Sequence, residues 1–121
     1  MALALTEARA QVFFSGNDVH AWCQSDRSKA LVYTAGLSDE SVHGSIVLES
    51  LQPFDEAERK AQAPAFDITM KVFGAFCRPN EATLDQATDI FCAYLRASPQ
   101  DLHEGAYLLF HKAMKKAWPC P

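Results

Sequence analysis

Apolar residues recur at spacings of three and four along most of this chain, with polar residues between them, the pattern of helices that each bury one face. Thr6 is placed to cap a short first helix, with Glu7 in the first turn where the helix dipole favours negative charge. Val12, Phe13 and Phe14 supply its apolar end before Ser15-Gly16 breaks it. Asn17 is the expected cap of a second helix that opens on Asp18. Its face runs through Val19, Trp22 and Cys23 and continues in Ala30, Tyr33 and Leu37. The polar insert Gln24 to Lys29 bends this helix or splits it, and Gly36 is the expected C-cap.

The periodicity fades from Ser38 to Pro64. Asp39 to Gly44 reads as a turn or loop, and the run SIVLESL fits either a short helix or an extended segment because Ile46 and Val47 are β-branched. Pro53 ends it, and Asp55-x-x-Glu58 is a capping-box pattern that opens a very polar piece. The pattern returns at Pro64, which suits a first helical turn, and Phe66, Met70, Phe73, Ala75 and Phe76 lead up to Cys77. Pro79 stops that helix and Asn80 is the expected cap of the next. There Leu84, Ala87, Phe91, Tyr94 and Leu95 form one stripe. Ser98-Pro99-Gln100-Asp101 carries the start signals of a last helix that buries Leu102, Ala106, Leu109, Phe110, Ala113 and Ala117. Lys112, Lys115 and Lys116 lie in its final turns, where cations oppose the dipole. The predicted architecture is all-α. Residues 1–121 form a single domain of five or six helices that ends in an antiparallel helical hairpin.

Length and composition add bounds. At 121 residues, with 49% hydrophobic and 21% charged residues, the chain can bury one real core. A net charge of -4 argues against nucleic acid, whose phosphates need clustered Lys and Arg, and suits a basic partner. No run reaches the roughly 20 apolar residues of a membrane span, so no membrane partner is expected. The four cysteines Cys23, Cys77, Cys92 and Cys120 are widely spaced, with no CxxC and no zinc spacing, so no metal is expected. If the last two helices run antiparallel, Cys77 and Cys120 arrive at the same end, a placement that suits a staple. Composition leaves buried thiols and one or two disulfides equally open.

Few residues offer chemistry. His103-Glu104 resembles the start of HExxH, but Tyr107 occupies the fifth position and His111 lies too far on for both imidazoles to meet a metal. The glycines are scattered and make no phosphate loop, and no cofactor is expected. Trp22, Trp118 and the phenylalanines are read as core. The acidic middle section is a solvated loop or a recognition loop, since long exposed connections on rigid scaffolds often carry binding. Phe54 beside Pro53, Asp55, Glu56 and Glu58 offers an apolar anchor ringed by charge.

The stretch FCRPNEATLDQATDIFCAYLRASPQDLHEGAYLLFHKAMKKAWPC resembles the C-terminal half of type VI secretion immunity proteins of the Rap/Tai kind. The shared features are Phe76-Cys77-x-Pro79, Gln86, Tyr94-Leu95, Pro99 and Trp118-Pro119-Cys120. Gly16-Asn17-Asp18 followed by Cys23, and Tyr33-x-x-Gly36-x-x-Asp39, look similar too, which leaves the middle section unmatched. The resemblance implies a small helical, often dimeric periplasmic protein without enzymatic activity. Its partner would be a secreted cell-wall amidase toxin, a papain-like Cys/His peptidase, whose cleft it blocks. The toxin contacts are then expected between Asp39 and Gln62, with Asp39, Glu40, His43, Glu49, Gln52, Phe54, Asp55, Glu56 and Glu58 as candidates. A Cys77–Cys120 disulfide fits such a protein and would add about 2–4 kcal/mol. Many relatives carry a cysteine where this chain has Ala30, which leaves the states of Cys23 and Cys92 open. The opening MALALTEARAQ lacks a positive n-region and a long apolar core, so a periplasmic protein's export signal is expected to have been removed from it. Two other classes remain: a helical adaptor or chaperone that binds a partner through a hydrophobic groove, and a thiol enzyme that uses Cys92.

Overall fold

The computed structural model describes residues 11–50 and 76–121, the side chains of 47–50 excepted. The regular elements among them are all helices. Helix α1 spans Gly16–Ser25, α2 Arg27–Ser50, α3 Leu84–Ala97 and α4 Ala106–Ala117, with a 3-10 turn at Pro99–Asp101. The helix expected after Thr6, the piece opened by Asp55 and most of the helix expected from Pro64 lie outside the described residues. Val12 to Phe14 and Phe76 are described, and neither is helical.

Helix α1 starts two residues earlier than its Asn-Asp sequence predicts, because Ser15 rather than Asn17 is the cap. The Ser15 Oγ accepts the Asp18 N–H at 3.4 Å, and the Asp18 carboxylate accepts the Ser15 N–H at 2.9 Å. The next two N–H groups of the helix are satisfied from outside it. Gly16 donates to the Glu104 carbonyl at 2.9 Å and Asn17 to the Leu102 carbonyl at 2.8 Å. Ala106 returns a bond to the Phe14 carbonyl at 3.0 Å, and Ser15 and Gly105 form an isolated antiparallel bridge. This seam explains why the last helix does not start at Ser98. With the Leu102 and Glu104 carbonyls turned toward α1, the chain makes only a 3-10 turn, Ser98 forms no side-chain cap, and α4 begins after Gly105.

The polar insert splits α1 from α2 at Asp26, which serves both. Its backbone, outside the helical region at φ -149° and ψ 74°, ends α1 by donating to the Trp22 carbonyl at 2.8 Å. Its carboxylate then accepts the Lys29 N–H at 3.4 Å and so caps α2. Gly36 does not end α2. It is helical without a positive φ, and the helix continues through the expected loop Asp39–Gly44 to Ser50. The reason lies in the hydroxyls. Thr34, Ser38, Ser41 and Ser45 each donate to the carbonyl four residues back, at 2.7, 2.8, 2.9 and 3.0 Å. Side chains that usually compete with helical backbone are thus satisfied within it, and Thr34 and Ser38 can be buried.

Thr83, not Asn80, caps α3 through a second reciprocal pair. Gln86 N–H donates to Thr83 Oγ1 at 3.1 Å, and Thr83 N–H donates to Gln86 Oε1 at 2.8 Å. The core joins Val19 of α1, Ala87, Phe91 and Leu95 of α3, Leu102, and Ala106, Leu109, Phe110, Ala113 and Met114 of α4. Met114 replaces the expected Ala117, which is exposed. Each large apolar side chain buried here contributes about 1.5–3 kcal/mol relative to exposure. Phe91 and Phe76 both meet the Phe110 ring edge-on, at 5.5 and 5.8 Å. Trp22 and Tyr33 are half-buried against this cluster rather than inside it.

Two glycine-to-alanine changes should have opposite signs. A Cβ on Gly16 would meet the Leu109 side chain and lie 2.9 Å from the Leu102 carbonyl oxygen. Gly16→Ala is therefore expected to destabilise by about 1–3 kcal/mol, measured by chemical denaturation. At Gly36 a Cβ meets nothing within 4 Å. Gly36→Ala is expected to stabilise by about 1 kcal/mol through helix propensity.

Candidate partner-binding surface

Helix α2 divides into a docked half and a free half. Ala30, Thr34 and Ser38 are buried along one line, and between 39 and 46 no side chain is fully buried. The opposite face of that second half carries Asp39, Glu40 and His43, all exposed, together with Val42 and Ile46. Positions 39, 42, 43 and 46 follow the i, i+3, i+4, i+7 spacing of one helical face. Val42 is 52% and Ile46 58% exposed, large values for β-branched apolar residues. Farther back on the same face, Val32 is 73% exposed. The structure thus brings three of the expected contact residues together on a helix, not a loop. Glu49 belongs to the same helix, and Gln52, Phe54, Asp55, Glu56 and Glu58 lie outside the described residues. Val42 was missed because Asp39–Gly44 read as a turn or loop, and Ile46 because the run SIVLESL fitted either a short helix or an extended segment. Continued at helical period, their spacing alone would have flagged them.

A second apolar surface involves residues that sequence reasoning assigned elsewhere. Phe14, Trp22 and Tyr33 pack edge-on, with ring centroids 4.9, 5.5 and 5.8 Å apart. With Ser28, Lys29 and Val32 they line an open groove of about 510 Å³. Phe13 beside it is 96% exposed. Burial raises the Tyr33 phenol above its ordinary pKa of 10.0, so it stays a neutral hydrogen-bonding group.

The cysteines are all paired. Cys77 and Cys120 form the staple their positions suit, with Cα atoms 4.9 Å apart. Cys23 and Cys92, which the resemblance left open, are also bonded, with Cα atoms 5.7 Å apart, and tie α1 to α3. Their pairing removes the thiolate that a Cys92 enzyme would need. Arg27 at the start of α2 bridges Asp85 and Asp89 of α3 at 3.2 and 2.8 Å. Glu104 pairs with Lys112 at 3.0 Å, which engages the acid of the false metal motif. Among the described residues no three of His, Cys, Asp and Glu gather as metal ligands, and no helix is long and apolar enough to cross a membrane.

With this geometry in view, the chain was compared with known proteins. Residues 15–120 match the family model of Rap1a immunity proteins. The chain belongs to that family. No curated protein and no solved structure gives a significant match. The Rap1a match opens on Ser15, the cap of α1, and closes on Cys120, the second half of the staple. Several features of the resemblance acquire physical roles here. Gly16 permits the close approach to Leu102, Asp18 completes the first capping box, and Gln86 completes the second. The Rap1a assignment makes this an immunity protein with a cognate toxin, and its two disulfides fit an oxidising compartment.

His111 gives a pH signature of the C-terminal packing. Its ring lies 5.4 Å from Phe110 and 6.3 Å from Phe76, and its Nδ1 is buried without a hydrogen-bond partner. Burial first, and Lys115 second, hold its pKa below the ordinary 6.5. The stability that follows from a neutral His111 is complete above pH 6.5 and is lost as pH falls through the lowered folded value. The Tm should therefore fall more steeply as pH drops below 6.5 in the native chain than in His111→Phe. Parallel pH profiles would remove His111 from this role.

Proposed function

We propose that this Rap1a-family chain neutralises a secreted peptidoglycan amidase, a papain-like Cys/His peptidase, by lodging in its cleft. It acts in the periplasm, as a homodimer, and performs no chemistry of its own. Family membership over residues 15–120 is the observation that carries the immunity role. The location of the contact rests on the free half of α2. There exposed carboxylates of Asp39 and Glu40 flank apolar Val42 and Ile46, the make-up of a helix that docks into a groove with basic surroundings. The contact section runs from Asp39 to Gln62 and adds the acidic group Asp55, Glu56 and Glu58. Occlusion needs only a tight fit, so specificity between toxin variants can reside in this section while the scaffold keeps its fold.

The partner this requires is a small secreted peptidase encoded in an adjoining reading frame. Calorimetric titration of the two purified proteins should give a tight complex. Reversing Asp39, Glu40, Asp55, Glu56 and Glu58 to lysine should weaken it by about tenfold or more, chiefly through slower association at low salt. Val42→Asp with Ile46→Asp should instead speed dissociation. Unchanged affinity in both variants would place the contact elsewhere. The groove at Phe14, Trp22 and Tyr33 favours a second reading, an adaptor that holds a partner helix. Loss of binding in Trp22→Ala, with none in the α2 variants, would select it.

A further inference from the structure

The two disulfides differ in their surroundings. Cys23 and Cys92 are half-buried inside α1 and α3, and Cys23 packs against the core cluster. Cys77 and Cys120 are exposed, and each lies outside any helix. Thiol–disulfide exchange requires a thiolate to reach a sulfur, so access decides which bond reacts. Around the exposed bond, the Cys77 N–H donates to the Trp118 carbonyl at 2.8 Å, and Phe76 rests on Phe110 and His111. Those contacts hold residues 76 and 77 against α4 and its C-terminal end.

We propose that Cys77–Cys120 is a redox latch that opens before Cys23–Cys92 and sets how firmly residues 76–79 are held to the end of α4. A dithiol reductant opens it in two steps. One thiolate attacks a latch sulfur to form a mixed disulfide and release the other cysteine. The second thiol then displaces the first cysteine. Two electrons and two protons pass to Cys77 and Cys120, and the reductant leaves as its own disulfide. The α1–α3 tie survives this step, so the core persists while the latch is free. Resting on the toxin-binding reading above, the latch makes neutralisation conditional on an oxidising compartment, because it ties residues 76–79, which follow the contact section in the chain, to the end of α4.

Graded dithiothreitol on the intact chain tests this, with thiols trapped by alkylation and located by peptide mass spectrometry. Cys77 and Cys120 should label at about tenfold lower reductant than Cys23 and Cys92. Hydrogen exchange should then rise at residues 76–79 and 118–120 while α1 and α3 stay protected. Simultaneous opening, the reverse order, or unchanged exchange at 76–79 would overturn the latch. Cys77→Ser with Cys120→Ser should reproduce the exchange pattern and lower affinity for the adjoining-frame peptidase several-fold against the oxidised native chain. Equal affinity would overturn the regulatory role. A native chain that binds no peptidase would overturn the toxin-binding reading instead, and the order of opening is read without that partner.

Discussion

The fold depends on the seam between residues 14–17 and 102–106. A helix N-terminus leaves backbone donors without partners, and those of α1 are met by the Leu102 and Glu104 carbonyls. Only a residue without a side chain fits there against Leu102 and Leu109, and Gly16 occupies that position. Once α1 is seated there, Val19 reaches the α4 core and Cys23 reaches Cys92. The turn at Asp26 then starts α2, and Arg27 holds that start to Asp85 and Asp89. The first half of α2 is held by packing at Ala30, Thr34 and Ser38, and between 39 and 46 no side chain is fully buried.

Covalent ties matter because the chain is small. Each disulfide closes a loop of tens of residues, worth about 4 kcal/mol on the chain-entropy account. Net stabilities of such domains are about 5–15 kcal/mol. Two bridges therefore supply a share comparable to the margin itself, which ties folding to an oxidising environment. A protein that meets its partner outside the reducing cytosol loses nothing by that dependence.

Much of the scaffold was legible in the residues. The α3 stripe, most of the α4 core and the Cys77–Cys120 staple follow from helical period and from cysteine placement. Caps were less legible, because Asn17 and Asn80 are good caps by type while Ser15 and Thr83 win through reciprocal partners at Asp18 and Gln86. The helix across Asp39–Gly44 was hidden by small polar residues whose hydroxyls bond backward into the helix. The Ser98 start signals were overridden by a tertiary demand, the carbonyls that α1 requires. The Cys23–Cys92 bond depends on how α1 meets α3, which spacing along the chain does not encode. Three expected contact residues could be named while the apolar pair Val42 and Ile46 beside them was overlooked, because the helix that aligns them was hidden.

The scaffold identifies the family, and the free face of α2 is where we propose that it meets its partner. The most direct measurement is survival of cells that export the adjoining-frame peptidase to their own periplasm. Co-export of this chain should restore growth, and the same chain kept in the cytosol should not. Lysis despite co-export would contradict the account.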